Sequence, residues 1–428
     1  MHAALIIYAD RKALEERPAK HMVGSGAGVP VSVLPTAWRR LFPYSHLNMM
    51  QSECFDEVFG SDRSMVIASP TGSGKTAVLE LAITRLFTSS DRASRALTVY
   101  MAPLKALVHE RSADWSAKLA SLNLTVVELT GDSADEASDE AAVLRADLIV
   151  TTPEKWDSFS RFRRDAQGVI GRVSLLLVDE VHALVDEHRG PTLEAVISRM
   201  KAISQGNDVK GMPISALRII AASATVSNVE DIASWLGPHC VAKQFDDSYR
   251  PVPLQWRVMT YPMVATYTFD KSLISQLFAV IRGNSSGRPS LVFCNSRKVC
   301  QQAAQHIATS SPAAKLVPNH AHASYLAQAA SRMKHKGLAA MVRSGVGYHD
   351  ASLELEDRRA LENLFLEGMF APEALPLACP GSQYSSLPFP LMSSTRRAPP
   401  DGQGRSQSLR AHPDSPKGSI YQRASSSS

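Results

Sequence analysis

The chain of 428 residues is poor in cysteine: five residues, Cys54, Cys240, Cys294, Cys300 and Cys379, with no C-x-x-C pair among them. So scattered a set argues against a disulfide framework and predicts a reducing compartment, cytosol or nucleus. The 13 histidines lack metal-ligand spacing, and His320 and His322 sit in a polar, alanine-rich stretch that reads as solvated. No apolar run approaches the roughly twenty residues that a membrane span needs. The apolar start, Met1 to Tyr8, is short, carries no basic flank and is soon interrupted by Asp10, so it reads as neither signal peptide nor anchor. Charge of one sign is also scarce: 46 Lys and Arg oppose 41 Asp and Glu, a formal net charge of +5. That mild basicity permits a nucleic-acid partner without establishing one. The 44% of hydrophobic residues supports globular folding, and the length leaves room for two or three domains.

Two motifs carry chemistry. The first is Ser69-Pro70-Thr71-Gly72-Ser73-Gly74-Lys75-Thr76. Triphosphate oxygens need many donors at close range, and glycines let backbone N–H groups approach to form a nest. Lys75 then reaches the β- and γ-phosphates. Thr76 opens a helix predicted over Ala77 to Phe87, which sets its hydroxyl to ligate magnesium while the helix N-terminus faces the phosphates. Ser69 stands where the general pattern has its first glycine, whereas Gly72 and Gly74 remain where the tight turns fall. About a hundred residues later, the apolar run Leu175 to Val178 ends in Asp179-Glu180-Val181-His182. Magnesium takes oxygen ligands beside the phosphates, and Asp179 at a buried strand end suits that role. Glu180 is the candidate to orient an attacking water, and His182 to couple the nucleotide to the rest of the chain. Either motif alone can be an ordinary turn or a solvated strand end; together, in this order, they predict ATP with Mg2+ as cofactor.

Around them, short β-rich runs alternate with helical stretches: Met65 to Ala68, Leu97 to Met101, Leu124 to Leu129, Leu148 to Thr151, Leu175 to Val178 and Leu217 to Ala221. The alternation predicts an α/β fold with a parallel sheet, crossover helices and ligands at the strands' carboxyl ends. Residues 1–40, with the Gly24-Ser25-Gly26-Ala27-Gly28 tract among prolines, read as a flexible N-terminal segment. Near Pro251 and Pro253 the pattern loosens. It resumes with a helix over Lys271 to Arg282, a strand over Pro289 to Cys294 and an amphipathic stretch over Leu353 to Phe370. Residues 371–428, dominated by proline, serine and arginine, read as a low-complexity, disordered tail.

Further blocks make a family legible. Phe42-Pro43-Tyr44 with Gln51, Ala102-Pro103-Leu104-Lys105-Ala106-Leu107 with Arg111, Leu129-Thr130-Gly131-Asp132 and Thr151-Thr152-Pro153-Glu154-Lys155-Trp156-Asp157 occur in that order. Ser223-Ala224-Thr225, Phe293-Cys294-Asn295-Ser296-Arg297 and Gly345-Val346-Gly347-Tyr348-His349 follow. With these motifs the chain resembles superfamily-two DExH-box helicases from about Leu41 to Phe370. It most resembles the branch of the meiotic crossover DNA helicases and the spliceosomal unwinding helicase. The resemblance implies two tandem RecA-like parallel-sheet motor domains, an ATP-binding one over 41–245 and a partial second one over 246–370.

It also implies roles. Gln51 would read adenine through its amide. Ser223 and Thr225, with His182, would couple hydrolysis to strand movement. Pro103, Lys105, Arg111, Thr130, Gly131, Thr152, Pro153, Asn295, Ser296, Arg297 and His349 would touch the nucleic-acid backbone, single-stranded or at a branched junction. The implied activity is 3′–5′ ATP-dependent DNA unwinding of the meiotic recombination type, in the nucleus. Two departures stand out. After His349, Asp350 and Ser352 replace the family's second histidine and glycine. After Phe370, the family's Thr-Ser-Thr-Leu-Ala and Gln-x-x-Gly-Arg-x-Gly-Arg motifs are absent. The expectation is therefore an incomplete second domain. The alternatives are a truncated product that binds ATP and nucleic acid without unwinding, or an RNA helicase of the same branch.

Overall fold

The computed structural model describes residues 2–9, 28–89, 96–130, 142–162, 166–261, 266–285, 289–310, 320–350, 352–370 and 376–378. Its strands are β1 (His2–Ala9), β2 (Met65–Ala68), β3 (Leu97–Met101), β4 (Val126–Leu129), β5 (Leu148–Thr151), β6 (Val173–Val178), β7 (Arg218–Ser223), β8 (Val241–Gln244), β9 (Leu254–Tyr261), β10 (Val292–Phe293), β11 (Gly347–His349) and β12 (Pro376–Ala378). Seven of them form one parallel sheet in the order β4-β5-β3-β6-β7-β2-β8. A parallel sheet is covered by helices on both faces, so its strands read as continuous apolar runs rather than alternating ones. All six residues of β6 are buried accordingly.

Successive side chains still leave the sheet on opposite sides. Met65, Ile67, Tyr100, Leu175, Leu177 and Ile220 enter one core with the helices Lys75–Thr88 and Lys105–Leu119. Val66, Ala68, Val99, Met101, Leu176 and Val178 enter the other, against the helix Gly190–Ser204 and its neighbours. Val31, Leu34 and Trp38, in short 3-10 turns, are buried in the first core, although composition assigned them to a flexible lead-in. The buried apolar spacing, not the glycines upstream, decides their state. The Gly24–Ala27 part of the tract lies outside the described residues.

A smaller parallel sheet has the order β10-β12-β11. Cys300, Ala304 and Ile307 from the helix Arg297–Ser310 pack in its core with Tyr348, Leu361 and Phe370. Its central strand, β12, comes from beyond Phe370, where composition predicted only a disordered tail; three residues, Pro376-Leu377-Ala378, suffice to hydrogen-bond both neighbours. The rest of that tail, 371–375 and 379–428, lies outside the described residues. The third sheet is an antiparallel pair, β1 with β9, running from Ala9 opposite Leu254 to His2 opposite Tyr261. No described helix is long and apolar enough to cross a membrane.

Candidate nucleotide and nucleic-acid site

The motifs fall at the carboxyl ends of parallel strands, where such sheets hold ligands. β2 runs into the phosphate loop, β6 into Asp179, β7 ends on Ser223, β3 leads to Pro103 and β5 to Thr152. The loop is tied to β7 by the Ser69 N–H, which donates to the Ser223 carbonyl at 3.2 Å. Ser69 and Ser73 are both buried, and their hydroxyls meet at 2.6 Å, which shows what a serine supplies where the general motif has glycine. Gly72 and Gly74 adopt φ of +80° and +93°. A Cβ on Gly74 would stand 2.4 Å from Gln51 Nε2, so that position excludes a side chain by contact as well as by conformation.

Gln51 closes a capping box at the start of the helix Met49–Val58. Its Oε1 accepts from the Asn48 N–H at 2.9 Å, and its Nε2 donates to the Gly74 carbonyl at 3.1 Å. Asn48 Nδ2 donates to the Ser73 carbonyl at 2.8 Å. The amide expected to read adenine is thus 3% exposed, with its oxygen closing the helix cap and its nitrogen bolting the helix to the phosphate loop. Asn48, its partner in the task, carried no signal beyond an N-cap residue type.

Lys75 begins its helix, and its Nζ donates to the carbonyls of Ser69 at 2.8 Å and Pro70 at 3.3 Å. Burial lowers its pKa, while the nearby Glu180 and Asp179 carboxylates act in the opposite sense. Thr76 follows in the first helical turn. Asp179 is held at both oxygens: Oδ1 accepts from the Glu180 N–H at 3.0 Å and Oδ2 from the Tyr100 hydroxyl at 2.8 Å. Glu180 has a left-handed backbone, φ +53°, rare for a residue with a side chain. Its carboxyl is pushed up by burial and by Asp179, against the pull of His182 and Lys75. His182 Nδ1 lies 3.2 Å from Glu180 Oε2, 3.5 Å from Ser223 Oγ and 3.4 Å from the Ala224 N–H. One nitrogen faces a carboxylate and an amide donor, so its protonation decides which it bonds. Thr225 is exposed just beyond.

Among the described residues no group of three or more His, Cys, Asp or Glu side chains is placed to hold a metal. Thr76 and Asp179 offer one hydroxyl and one carboxylate, all oxygen. That set fits magnesium shared with phosphates and water better than a metal caged by protein alone.

The expected strand contacts divide. Lys105, Asn295, Ser296 and Arg297 are exposed, Pro103 and Thr130 partly so, while Thr152 and Pro153 are buried. The Thr152 hydroxyl accepts from the Lys155 N–H at 3.3 Å, opening the helix Pro153–Phe162. Pro103 is tethered through its carbonyl to Arg189 Nη1 at 3.0 Å, a link between the segment after the acid pair and the start of the helix Lys105–Leu119. His349 is fully buried, with Nε2 3.2 Å from Glu362 Oε1, and Arg111 leaves 14% of its side chain exposed, turned inward toward Tyr100. Both differ from the surface position that a backbone contact needs. Gly131 lies outside the described residues.

Comparison with known proteins agrees with this geometry. A profile of the DEAD/DEAH box helicase family matches residues 48–232. The chain is 42% identical over 357 residues to the rice "ATP-dependent DNA helicase MER3 homolog", covering 79% of this chain and 29% of that protein. To the mouse "Probable ATP-dependent DNA helicase HFM1" it is 41% identical over 354 residues, covering 81% and 24%. The yeast "ATP-dependent DNA helicase MER3" is 35% identical, with 79% and 27% covered. The chain therefore spans less than a third of the length of these relatives. In fold it is similar to the crystal structure of the DUF1998 helicase MrfA bound to DNA, with a TM-score of 0.59 at 15% identity over 88% of this chain and 47% of that one. With a DEAD/DEAH box helicase domain in its larger sheet and this similarity to the MER3 and HFM1 proteins, the chain belongs to the superfamily-two helicases.

Proposed function

We propose that this chain is an ATP-dependent DNA helicase of the meiotic crossover type, coupling hydrolysis to 3′–5′ movement on single-stranded DNA in the nucleus. The observation that carries the reading is the convergence of Lys75, Asp179, Glu180, His182 and Ser223 at the ends of three adjacent strands, β6, β7 and β2. In this reading residues 41–245, with the core residues from Val31 onward, form the ATP-binding domain, and 246–370, joined by the strand Pro376–Ala378, form a partial second RecA-like domain.

The phosphate loop binds the β- and γ-phosphates, and Lys75 exchanges its two loop carbonyls for phosphate oxygens. Thr76 and Asp179 hold Mg2+, which when bound neutralises charge on the phosphates. Glu180, kept near Asp179 by its backbone turn, orients the attacking water and takes up its proton; its upward-shifted carboxyl suits a base. His182 relays the state of Glu180 to Ser223 and Thr225. Lys105, Thr130, Asn295, Ser296 and Arg297 grip the strand's phosphates, which positions DNA without reading sequence.

The test is ATP hydrolysis by the purified chain with and without single-stranded DNA, beside Lys75→Ala. DNA-stimulated turnover that the substitution abolishes is the expected result. Nucleotide binding without turnover would overturn the motor reading for this chain and leave an ATP- and nucleic-acid-binding protein. Stronger stimulation by RNA than by DNA would replace the DNA assignment with the RNA-directed one.

A further inference from the structure

Two residues on the first-core side of β3 carry hydroxyls, Thr98 and Tyr100; the buried Thr98 oxygen has no hydrogen-bond partner among the described residues, whereas that of Tyr100 has one. The ring is fully buried, and its hydroxyl reaches past the strand end to Asp179 Oδ2 at 2.8 Å. Trp115, from the helix Lys105–Leu119, holds the ring edge-on, with centroids 5.0 Å apart and planes at 84°. Trp115 is itself fixed, its Nε1 donating to the buried Glu80 carboxylate at 3.0 Å. Arg111 sits four residues earlier on the same helix, hence on the same face, and lies against the Tyr100 hydroxyl. Its Nε is buried with no hydrogen-bond partner among the described residues, and its nearest carboxylate in an ion pair, Glu110, stands 3.9 Å away. A cation so enclosed, against a tyrosine that holds a metal-ligand candidate, is poorly placed to meet DNA.

We propose that Tyr100 and Arg111 are positioning residues for the magnesium carboxylate. Tyr100 fixes the rotation of Asp179 through Oδ2, and Arg111 holds the Tyr100 hydroxyl in place from the helix whose exposed start, Lys105, faces the strand. Rests of this kind are familiar around metals, where a ligating carboxylate is oriented by its own hydrogen-bond partners. This inference rests on the nucleotide reading above.

The experiment is a titration of magnesium into the full chain with a fluorescent ATP analogue, reading nucleotide binding rather than turnover, for wild type, Tyr100→Phe, Arg111→Met and Arg111→Lys. Tyr100→Phe keeps the Trp115 contact and loses only the hydroxyl. Its magnesium midpoint should rise about ten-fold or more, the usual loss when an outer partner of a metal ligand is removed, with affinity in EDTA unchanged. Arg111→Met should behave alike, Arg111→Lys should restore part of the response, and single-stranded DNA affinity should stay at wild type in all three. A wild-type magnesium response in Tyr100→Phe overturns the proposal. Loss of DNA affinity in Arg111→Met with a normal magnesium response overturns the role of Arg111 and returns it to strand contact. Absence of magnesium-dependent binding in the wild type would instead refute the nucleotide reading, and this inference with it.

Discussion

His182 Nδ1 meets Ser223 Oγ at 3.5 Å, joining the turn after β6 to the end of β7 across neighbouring strands. Since the same nitrogen faces Glu180, His182→Ala should leave ATP affinity intact while cutting DNA stimulation of hydrolysis about two- to thirty-fold, the span of a coupling residue worth about 0.5–2 kcal/mol. Turnover measured with and without DNA checks it. Equal loss of basal and stimulated rates would show that His182 serves chemistry rather than coupling.

Gly72 and Gly74 share a left-handed backbone and differ in surroundings. A Cβ on Gly72 meets nothing within 4 Å, so Gly72→Ala should cost only conformational strain, about 1–2 kcal/mol. Gly74→Ala must also displace the Gln51 amide, and with it the bolt between the helix Met49–Val58 and the loop. Thermal melts and fluorescent-nucleotide titrations of both variants should show the larger loss in each for Gly74→Ala. Equal effects would mean that Gln51 yields freely.

Glu80 is buried with Lys118 Nζ and Trp115 Nε1, each donating to its Oε1 at 3.0 Å. Burial raises the Glu80 pKa, and Lys118 is the main counterweight. Lys118→Met should cost stability at the low end of the about 3–5 kcal/mol for breaking a buried pair, because Lys118 is itself 31% exposed. The sign with pH follows from the raised value. Folded Glu80 keeps its proton where unfolded Glu80 has lost it, so its contribution to stability falls as pH rises from the unfolded pKa to the folded one. Without Lys118 that window extends further upward, and denaturant melts should show the variant's deficit growing as pH rises above the ordinary carboxylate range. A deficit independent of pH would assign the loss to packing.

Arg199 donates from Nη1 to the Ser160 hydroxyl at 2.7 Å and from Nη2 to Asp157, pinning the helix Pro153–Phe162 onto the helix Gly190–Ser204. Arg199→Ala should destabilise the chain by about 1.5–3 kcal/mol, the worth of bonds to a charged group. It should also weaken single-stranded DNA binding with nucleotide affinity unchanged, because the Thr152–Pro153 turn starts the loosened helix. Fluorescence anisotropy reads the DNA side, and unchanged DNA affinity would remove that turn from the strand interface.

The strands around the nucleotide were legible because each is a short apolar run that the sheet buries on both faces; β2, β3 and β5 fall on the residues that periodicity marked. β8 and β9 were not, since Val-Ala-Lys-Gln is half polar and Leu254 follows two prolines. β12 is three residues in a proline-rich run, and only its pairing partners, far away in the chain, make it a strand. In the site, loop glycines and strand-end acids announce themselves because their chemistry is local. That Gln51, Arg111 and His349 turn inward was not legible, because residue type does not tell which way a side chain turns. Tyr100 and Arg189 escaped because each works through a partner about eighty residues away.

The order of strands in the larger sheet also governs when the chain can first hold nucleotide during its synthesis. β2, which carries the phosphate loop, pairs only with β7 and β8, whose residues follow it by about 150 positions or more. Until Arg218–Ser223 and Val241–Gln244 have left the ribosome, the loop's strand has no neighbours and its nest no fixed floor. ATP added to nascent chains should therefore protect none that stop short of β7, and nucleotide capture marks the completion of the domain rather than the appearance of its motif.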